Sequence, residues 1–393
     1  MTIPEIKTVL YVGAGTMGCY NSLAAAVSGY KVVLYDVNAD TLARVPQRHQ
    51  EFVAMLVGGG YCTAEAAAEA LPRVRVTADL KQATAGADLV SESVFERVDI
   101  KRDIHRQLDA LCPPHTILTT NSSALPLSAI EDVVMRGERF AALHSHLGSP
   151  LVDIVGGPRT DPAVIQLLER YVRSTGGVPL VLKKEHPGYV LNAILGPVMS
   201  AAMLLLIKGA ATVEEVDSSW MRRHRAAIGP FGMMDLFGLN LIYDSWQYRE
   251  EDAANREPRQ GILDLLGPML ERGELGVKSG SGFYQYPQPR YQQADFLGST
   301  IDNQQATDTL LVALLANALV VAGCDVAAPV DIDRAWMAGT YLETGPFATL
   351  DQLGVGAFRH LLQAQVDGGY IDAARARAAT AYLDSRAANG QQQ

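Results

Sequence analysis

The chain has 393 residues, a formal net charge of −10, 48% hydrophobic residues and 19% charged residues. That length holds two or three domains, and the composition is that of an ordinary globular protein. The negative balance argues against a nucleic-acid partner or an anionic membrane surface. The four cysteines, Cys19, Cys62, Cys112 and Cys324, are scattered without metal-ligand spacing, the pattern of free thiols in a reducing, cytoplasmic compartment.

The first seven residues, MTIPEIK, carry no apolar signal core. Residues 8–12 form a mostly apolar run that predicts a strand buried on both faces. Next come Gly13-Ala14-Gly15-Thr16-Met17-Gly18, a helical run over residues 19–27 ending at Ser28-Gly29, and a second strand over residues 31–35 that delivers Asp36. This is a βαβ opening with G-x-G-x-x-G in its first turn. Gly13 permits the tight turn, Gly15 lets a pyrophosphate approach the backbone, and Gly18 lets the helix pack close to the strand. Thr16 and Met17 belong to the turn, and the helix N-terminus after it offers free N–H groups and a partial positive charge to the phosphates. Asp36 is placed for both ribose hydroxyls of an adenosine and repels a 2′-phosphate, so NAD is expected rather than NADP.

A helix begins near Asn38, and residues 41–57 and 63–71 predict two helices around Gly58-Gly59-Gly60. Strands are expected over residues 73–77, 88–94, 116–120 and 140–144. A charged helix over residues 97–111 ends at Pro113-Pro114, and Asn121-Ser122-Ser123 form an exit loop. Strands and helices alternate to about Leu182, as a doubly wound, mostly parallel α/β Rossmann sheet requires. The composition shifts at Pro187-Gly188, and helical patterns follow. The apolar run 193–207 is too short to span a bilayer and predicts a buried helix. The tail, residues 387–393, is polar and expected to fray.

A repeat returns at a constant offset of 116 residues: Asp217, Trp220, Met221, Gly229, Pro230, Phe231, Asp235 and Gly238 recur as Asp333, Trp336, Met337, Gly345, Pro346, Phe347, Asp351 and Gly354. Two all-α modules related by duplication are therefore expected, joined by a Pro- and Gln-rich linker over residues 284–303. The expected domains are residues 1–186, 187–290 and 291–393.

GAGTMG, ESVFERVDIK (92–101), TNSSAL (120–125), RFAALH (139–144), PGYVLNAIL (187–195), GPFGMMDLFGL (229–239) and GVKSGSGFYQY (276–286) together resemble the 3-hydroxyacyl-CoA dehydrogenase family over nearly the whole chain. The resemblance implies an NAD-binding Rossmann domain, a helical C-terminal domain and a substrate held between them. Oxidising a secondary alcohol needs a base for the hydroxyl proton while hydride leaves for a nicotinamide, and histidine suits that role near neutral pH. His144 ends a predicted strand on the ligand-binding side of the sheet, and the resemblance implies that it is the base. It further implies that Ser123 touches the substrate oxygen at the cofactor, that Asn192 belongs to the same site, that Glu96 and Lys101 line the NAD ribose and nicotinamide, and that Lys278 reaches the cofactor. Beside these stand plainer readings. Ser123 and Asn192 are also ordinary loop and cap residues, Glu96 and Lys101 a solvated helix pair, and Lys278 a surface lysine. His146 makes an H-x-H with His144, without a third ligand nearby, and is read as support for His144 rather than a metal ligand; no metal is expected.

The pattern departs from the family in four places. The family's H-F-F-N-P is here His144-Ser145-His146-Leu147-Gly148-Ser149-Pro150, so Leu147 replaces an asparagine. The family's glutamate partner of the histidine is replaced by Asp153, about three residues nearer. Ala193 replaces an arginine. For coenzyme A phosphates the helical pair 41–71 offers Arg44, Arg48 and His49, but no lysine between the helices. The leading expectation is an NAD-dependent enzyme of fatty acid metabolism interconverting 3-hydroxyacyl and 3-oxoacyl groups on a small-molecule CoA thioester. The alternatives are a free hydroxy acid or carnitine-like substrate, and a non-catalytic, lens-type NAD-binding protein. The duplication implies a monomer with an internal pseudo-dimer, or a homodimer built through another surface.

Overall fold

The computed structural model describes residues 5–247 and 256–390. The chain divides into two compact units, one built from residues up to Tyr189 with Ala338–Thr340, the other from Val190–Met337 and Tyr341 onward.

The N-terminal unit runs β1 (Thr8–Val12), α1 (Thr16–Val27), β2 (Lys31–Tyr35), α2 (Ala39–Ala43), α3 (Val45–Gly58), α4 (Ala64–Ala70), β3 (Val74–Thr77), α5 (Leu80–Thr84), β4 (Leu89–Glu92), α6 (Val98–Leu111), β5 (Ile117–Thr120), β6 (Phe140–Ser145), β7 (Leu151–Gly156), α7 (Pro162–Ser174) and β8 (Val178–Val181). The strands form one sheet in the order β3-β2-β1-β4-β5-β6-β7-β8. The first half is a right-handed double winding, with the switch point between β1 and β4. Val9, Leu10, Leu89, Leu118 and Ala141 are inaccessible to solvent on the central strands, which is why those strands read as unbroken apolar runs. Helix starts follow local chemistry: the Asn38 side chain accepts from Asp40 N and Thr41 N, Thr63 caps α4, and Asp161 caps α7 ahead of Pro162.

Three sequence expectations are corrected in this unit. The helix expected over residues 41–57 is broken at Arg44, where α2 ends and α3 begins with Pro46 in its first turn. The alternation of strand and α-helix stops after β5, which only 3-10 turns join to β6, and β7 then returns antiparallel to β6 through the short connection 146–150. Every other pairing in the sheet is parallel. The plainer reading of Glu96 and Lys101 as a solvated pair fails for Lys101, which is 1% exposed.

The second unit runs α8 (Leu191–Ile207), α9 (Val213–His224), α10 (Pro230–Phe237), α11 (Leu239–Gln247), α12 (Arg256–Glu271), α13 (Phe296–Ser299), α14 (Gln304–Gly323), α15 (Pro329–Thr340), α16 (Pro346–Leu353), α17 (Val355–Asp367) and α18 (Ala373–Gly390). Shifted by 116 residues, α9 and α10 fall on α15 and α16, and α11 begins where α17 does. The repeated aspartate explains the repeated G-P-F. Asp217 accepts hydrogen bonds from Phe231 N (2.8 Å) and Gly232 N (3.0 Å), and Asp333 accepts from Phe347 N (2.7 Å) and Ala348 N (3.0 Å). Each carboxylate satisfies the free donors at the start of a helix. Full burial pushes the Asp217 carboxyl up to about 7 against those hydrogen bonds. The copies pack through the equivalent helices α8 and α14, and the equivalent side chains Trp220 and Trp336 meet with ring centroids 6.3 Å apart. Equivalent elements of the two copies thus face each other within one chain.

The joint 284–303 is packed rather than an open linker. Tyr284 and Tyr286 donate to Asp217 and Asp235 (both 3.0 Å), and Tyr291 and Phe296 are buried. Only residues 391–393 of the expected frayed tail lie outside the described residues, and α18 continues to Gly390. Among the described residues α14 is long and apolar enough to cross a membrane by length and composition, yet 78% of its most apolar window is buried inside the molecule. Sequence reading weighed only the run 193–207 and missed it.

Deleting residues 300–393 removes α14 from α8, whose Ile194, Val198, Ala202 and Met203 are fully buried. The truncated chain is expected to aggregate or to form a new dimer, read by size-exclusion chromatography with light scattering. A truncated chain that stays monomeric and soluble contradicts the packing described.

Candidate active site

The turn after β1 is shaped for a dinucleotide. Gly13 has φ +100, and a Cβ there would lie 2.6 Å from Ser93 O; a Cβ on Gly18 would lie 1.8 Å from Gly13 O. Gly18 therefore closes the turn on itself, a tighter demand than the helix–strand packing expected of it. A Cβ on Gly15 meets nothing within 4 Å, which leaves room for a phosphate to reach the backbone. No side chain caps the α1 N-terminus, where Thr16 is exposed and Met17 half-buried. Asp36 Oδ2 accepts from Ala14 N (2.8 Å) and Oδ1 from Asn38 N (2.9 Å), so its carboxylate sits beside the turn. These groups fit NAD.

Beneath the next strand ends lies a charged network that sequence reading only half found. Glu92, at the end of β4, is fully buried. Its oxygens receive Lys101 Nζ (2.7 Å), Val94 N (2.7 Å), Thr120 Oγ1 (2.7 Å) and His105 Nε2 (3.2 Å). Burial opposes ionisation, but the His105 hydrogen bond and the Lys101 charge outweigh it and hold the carboxyl at about 2. Lys101 Nζ also lies 3.3 Å from Glu96. Glu96 in turn fastens the loop after β5: Oε1 accepts from Ser122 Oγ, from Ala124 N (2.9 Å) and from Leu125 N (3.2 Å). Ser123 is left exposed on that loop. Glu92 opens the ESVFERVDIK stretch, but nothing in that stretch says that its carboxylate is buried, and only the fold reveals it.

His144 lies on β6 directly opposite Asp153 on β7. Residues facing each other across an antiparallel pair share one face of the sheet, with Cβ atoms about 5 Å apart. That register brings His144 Nδ1 to 2.9 Å from Asp153 Oδ2. His146, at the start of the connection, reaches the same oxygen with Nε2, also at 2.9 Å. The sequence reading that no third group lies near the two histidines is thus corrected: Asp153 joins both. Both separations are ordinary hydrogen-bond lengths. Burial raises the Asp153 carboxyl, but the His144 and His146 hydrogen bonds bring it below its ordinary value. Burial lowers the His144 ring below its ordinary value, against the Asp153 bond. His144 Nε2 makes no hydrogen bond among the described residues and is not sealed from solvent. Tyr189, from the PGYVLN motif, stacks on the His144 ring at 4.8 Å, and its hydroxyl donates to Ser122 O (2.8 Å). It links the histidine to the Ser123 loop, and a bulky residue at φ +52 is its only local mark.

In the helical unit Asn192 is exposed in the first turn of α8. Lys278 is exposed as well, with its ammonium on Asn240 Oδ1. Of the basic groups expected on the helical pair 41–71, His49 is buried against Ser22 and Arg48 donates to Ala14 O (3.0 Å). Arg44 remains exposed.

The family profile "3-hydroxyacyl-CoA dehydrogenase, NAD binding domain" matches residues 8–186. The profile "3-hydroxyacyl-CoA dehydrogenase, C-terminal domain" matches twice, at residues 188–286 and 306–391. A Mesorhizobium japonicum protein named 5-formyl-3-hydroxy-2-methylpyridine 4-carboxylate 5-dehydrogenase is 30% identical over 72% of this chain and 91% of its own length. The human mitochondrial hydroxyacyl-coenzyme A dehydrogenase is 29% identical over the same shares. A solved diketoreductase, described as acting on dicarbonyl compounds, is 35% identical with a TM-score of 0.66, covering 73% of this chain and all of that one.

Replacing Lys101 with Met leaves the Glu92 carboxylate buried without its cation. Breaking such a pair costs about 3–5 kcal/mol, measurable as a lower urea midpoint. The folded-state depression of Glu92 contributes stability that is lost as pH falls through about 4.5 toward 2. In the variant the Glu92 carboxyl rises, so acid unfolding is expected to begin at higher pH. An unchanged midpoint contradicts this role.

Proposed function

We propose that this chain, which belongs to the 3-hydroxyacyl-CoA dehydrogenase family and is an NAD-dependent oxidoreductase, interconverts a 3-hydroxyacyl and a 3-oxoacyl group with His144 as general acid and base. The observation that carries the reading is the buried His144–Asp153 pair, which keeps Nδ1 occupied and leaves Nε2 unpartnered. In oxidation Nε2 takes the proton of the substrate hydroxyl as hydride leaves the same carbon. Asp153 holds the ring tautomer and stabilises the imidazolium that forms. Ser123 hydrogen-bonds the substrate oxygen from a loop that Glu96 and Tyr189 hold in place. Asn192 assists at the substrate, and Lys278 and Glu96 face the cofactor. Gly13, Gly15, Gly18, Thr16 and Met17 receive the pyrophosphate, and Asp36 the adenosine ribose. NAD, when bound, accepts the hydride. In reduction the protonated Nε2 returns its proton to the carbonyl oxygen. The neutral ring that burial favours is the form a base needs at pH 7.

The acyl carrier in this reading is coenzyme A, as in the named human relative. A second reading, a free hydroxy or oxo acid, is favoured by one observation: Arg48 and His49 are engaged inside the fold, which leaves Arg44 as the exposed basic group of the pair expected to meet coenzyme A phosphates.

A screen of NADH formation that pairs 3-hydroxyacyl-CoA thioesters with the matching free acids separates the two. Turnover of the thioesters supports the first reading, and preference for the free acids supports the second. Absence of turnover with both sets favours a non-catalytic NAD-binding protein. With the best substrate, His144→Gln is expected to lower turnover on the order of 100-fold while NAD affinity stays within a factor of two or so. A variant with wild-type turnover removes His144 from the chemistry.

A further inference from the structure

The arrangement around Asp153 contains one member that the reaction above does not use. His146 stands where the family pattern has phenylalanine, and its Nε2 lies 2.9 Å from the same Asp153 oxygen that holds His144 Nδ1. The two rings meet edge to face at 4.4 Å. Asp153 is inaccessible to solvent, and its other oxygen, Oδ1, is buried without a partner. One carboxylate oxygen thus receives two imidazoles while the other receives nothing.

An ionised carboxylate can only accept, so both ring nitrogens must donate. This assigns both tautomers. His144 carries its proton on Nδ1 and presents a lone pair at Nε2, while His146 carries its proton on Nε2. The second donor has two effects. It holds the carboxylate in one orientation, because rotating Oδ1 into place breaks a bond to one ring. It also draws on the same negative charge that stabilises a protonated His144.

We propose that His146 is a positioning residue for the oxidation, which fixes the Asp153 carboxylate and, by sharing its Oδ2, makes His144 a weaker base than a simple His–Asp pair would be. The inference rests on the reading of His144 as the base. Other groups facing the ring leave this assignment intact. Glu96, from the loop before α6, favours the charged ring but has Lys101 at 3.3 Å to offset it. The Tyr189 hydroxyl is pushed well above its ordinary value by burial and stays neutral. Burial remains the largest influence lowering His144, the Asp153 hydrogen bond opposes it, and the neighbouring His146 adds to the lowering.

The test compares His146→Phe with His146→Gln, whose side-chain amide can donate to the same oxygen. The readout is the pH dependence of kcat/KM for NADH formation with the full-length protein. In His146→Phe the acid limb is expected to move to higher pH by up to about one unit, a fall of up to about tenfold in rate on the acid side relative to the plateau. His146→Gln is expected to keep the limb near the wild-type position. An unmoved limb in His146→Phe, or equal movement in both variants, overturns the proposal, as does a uniform loss at every pH. His144→Gln run in parallel separates the two failures: if it keeps the limb, the base reading fails and the proposal falls with it; if it abolishes the limb while His146→Phe leaves it unmoved, the positioning role alone fails. Nitrogen-15 spectra of histidine-labelled wild-type protein need no variant that folds differently. They are expected to show His144 protonated at Nδ1 and His146 at Nε2 near neutral pH, and the opposite tautomer at His146 overturns the proposal.

Discussion

One antiparallel pairing in an otherwise parallel sheet creates the His144–Asp153 pair on which the proposed chemistry rests. β7 turns back along β6 and places Asp153 directly opposite His144. A cross-strand pair on one face needs only a short side chain to close the gap. The short connection 146–150 and the aspartate therefore belong together. The same register leaves His146 next in line beyond β6, where it meets the same oxygen. The His144 tautomer and the crowding of Oδ2 both follow from how the two strands are aligned.

A second constraint holds the substrate side of the site. Glu92, Lys101 and His105 place buried charge and its compensation between β4, α6 and β5. A network of this kind is costly unless every member is paired, and it continues outward through Glu96 to the loop that carries Ser123. Tyr189 reaches the same loop from the other side of His144. The loop is held at both ends of the site while Ser123 itself stays exposed. Rigid backbone carrying one free hydroxyl is the arrangement that positioning a carbonyl oxygen requires.

Much of this was legible in the residues. The glycine turn, Asp36, the strand that ends in His144 and the 116-residue repeat each rest on local spacing, and spacing survives folding. The repeat extends further than its motif, since whole helices recur in register. Other features were out of reach because they depend on what lies across the fold. Glu92 opens the ESVFERVDIK stretch, yet nothing in its spacing says that the fold closes over its carboxylate. Lys101 reads as half of a surface pair until β4 and β5 close over it. Tyr189 gains its role only when the chain turns it onto the His144 ring. The linker 284–303 looks loose by composition, yet Tyr284 and Tyr286 tie it to buried carboxylates. The antiparallel turn was missed because the connection lacks the helix whose absence marks it.

The central claim is that strand register, rather than the mere presence of an acid, makes the pair. The measurement that tests it most directly is kcat/KM for Asp153→Glu on the best substrate. Asp153 is 0% exposed. One added methylene in a position closed to solvent is expected to move the carboxylate off the His144 nitrogen. The account predicts a fall in kcat/KM of on the order of tenfold or more, although the charge is retained. Wild-type kcat/KM in Asp153→Glu would show that the acid reaches His144 without help from the register, and would contradict it.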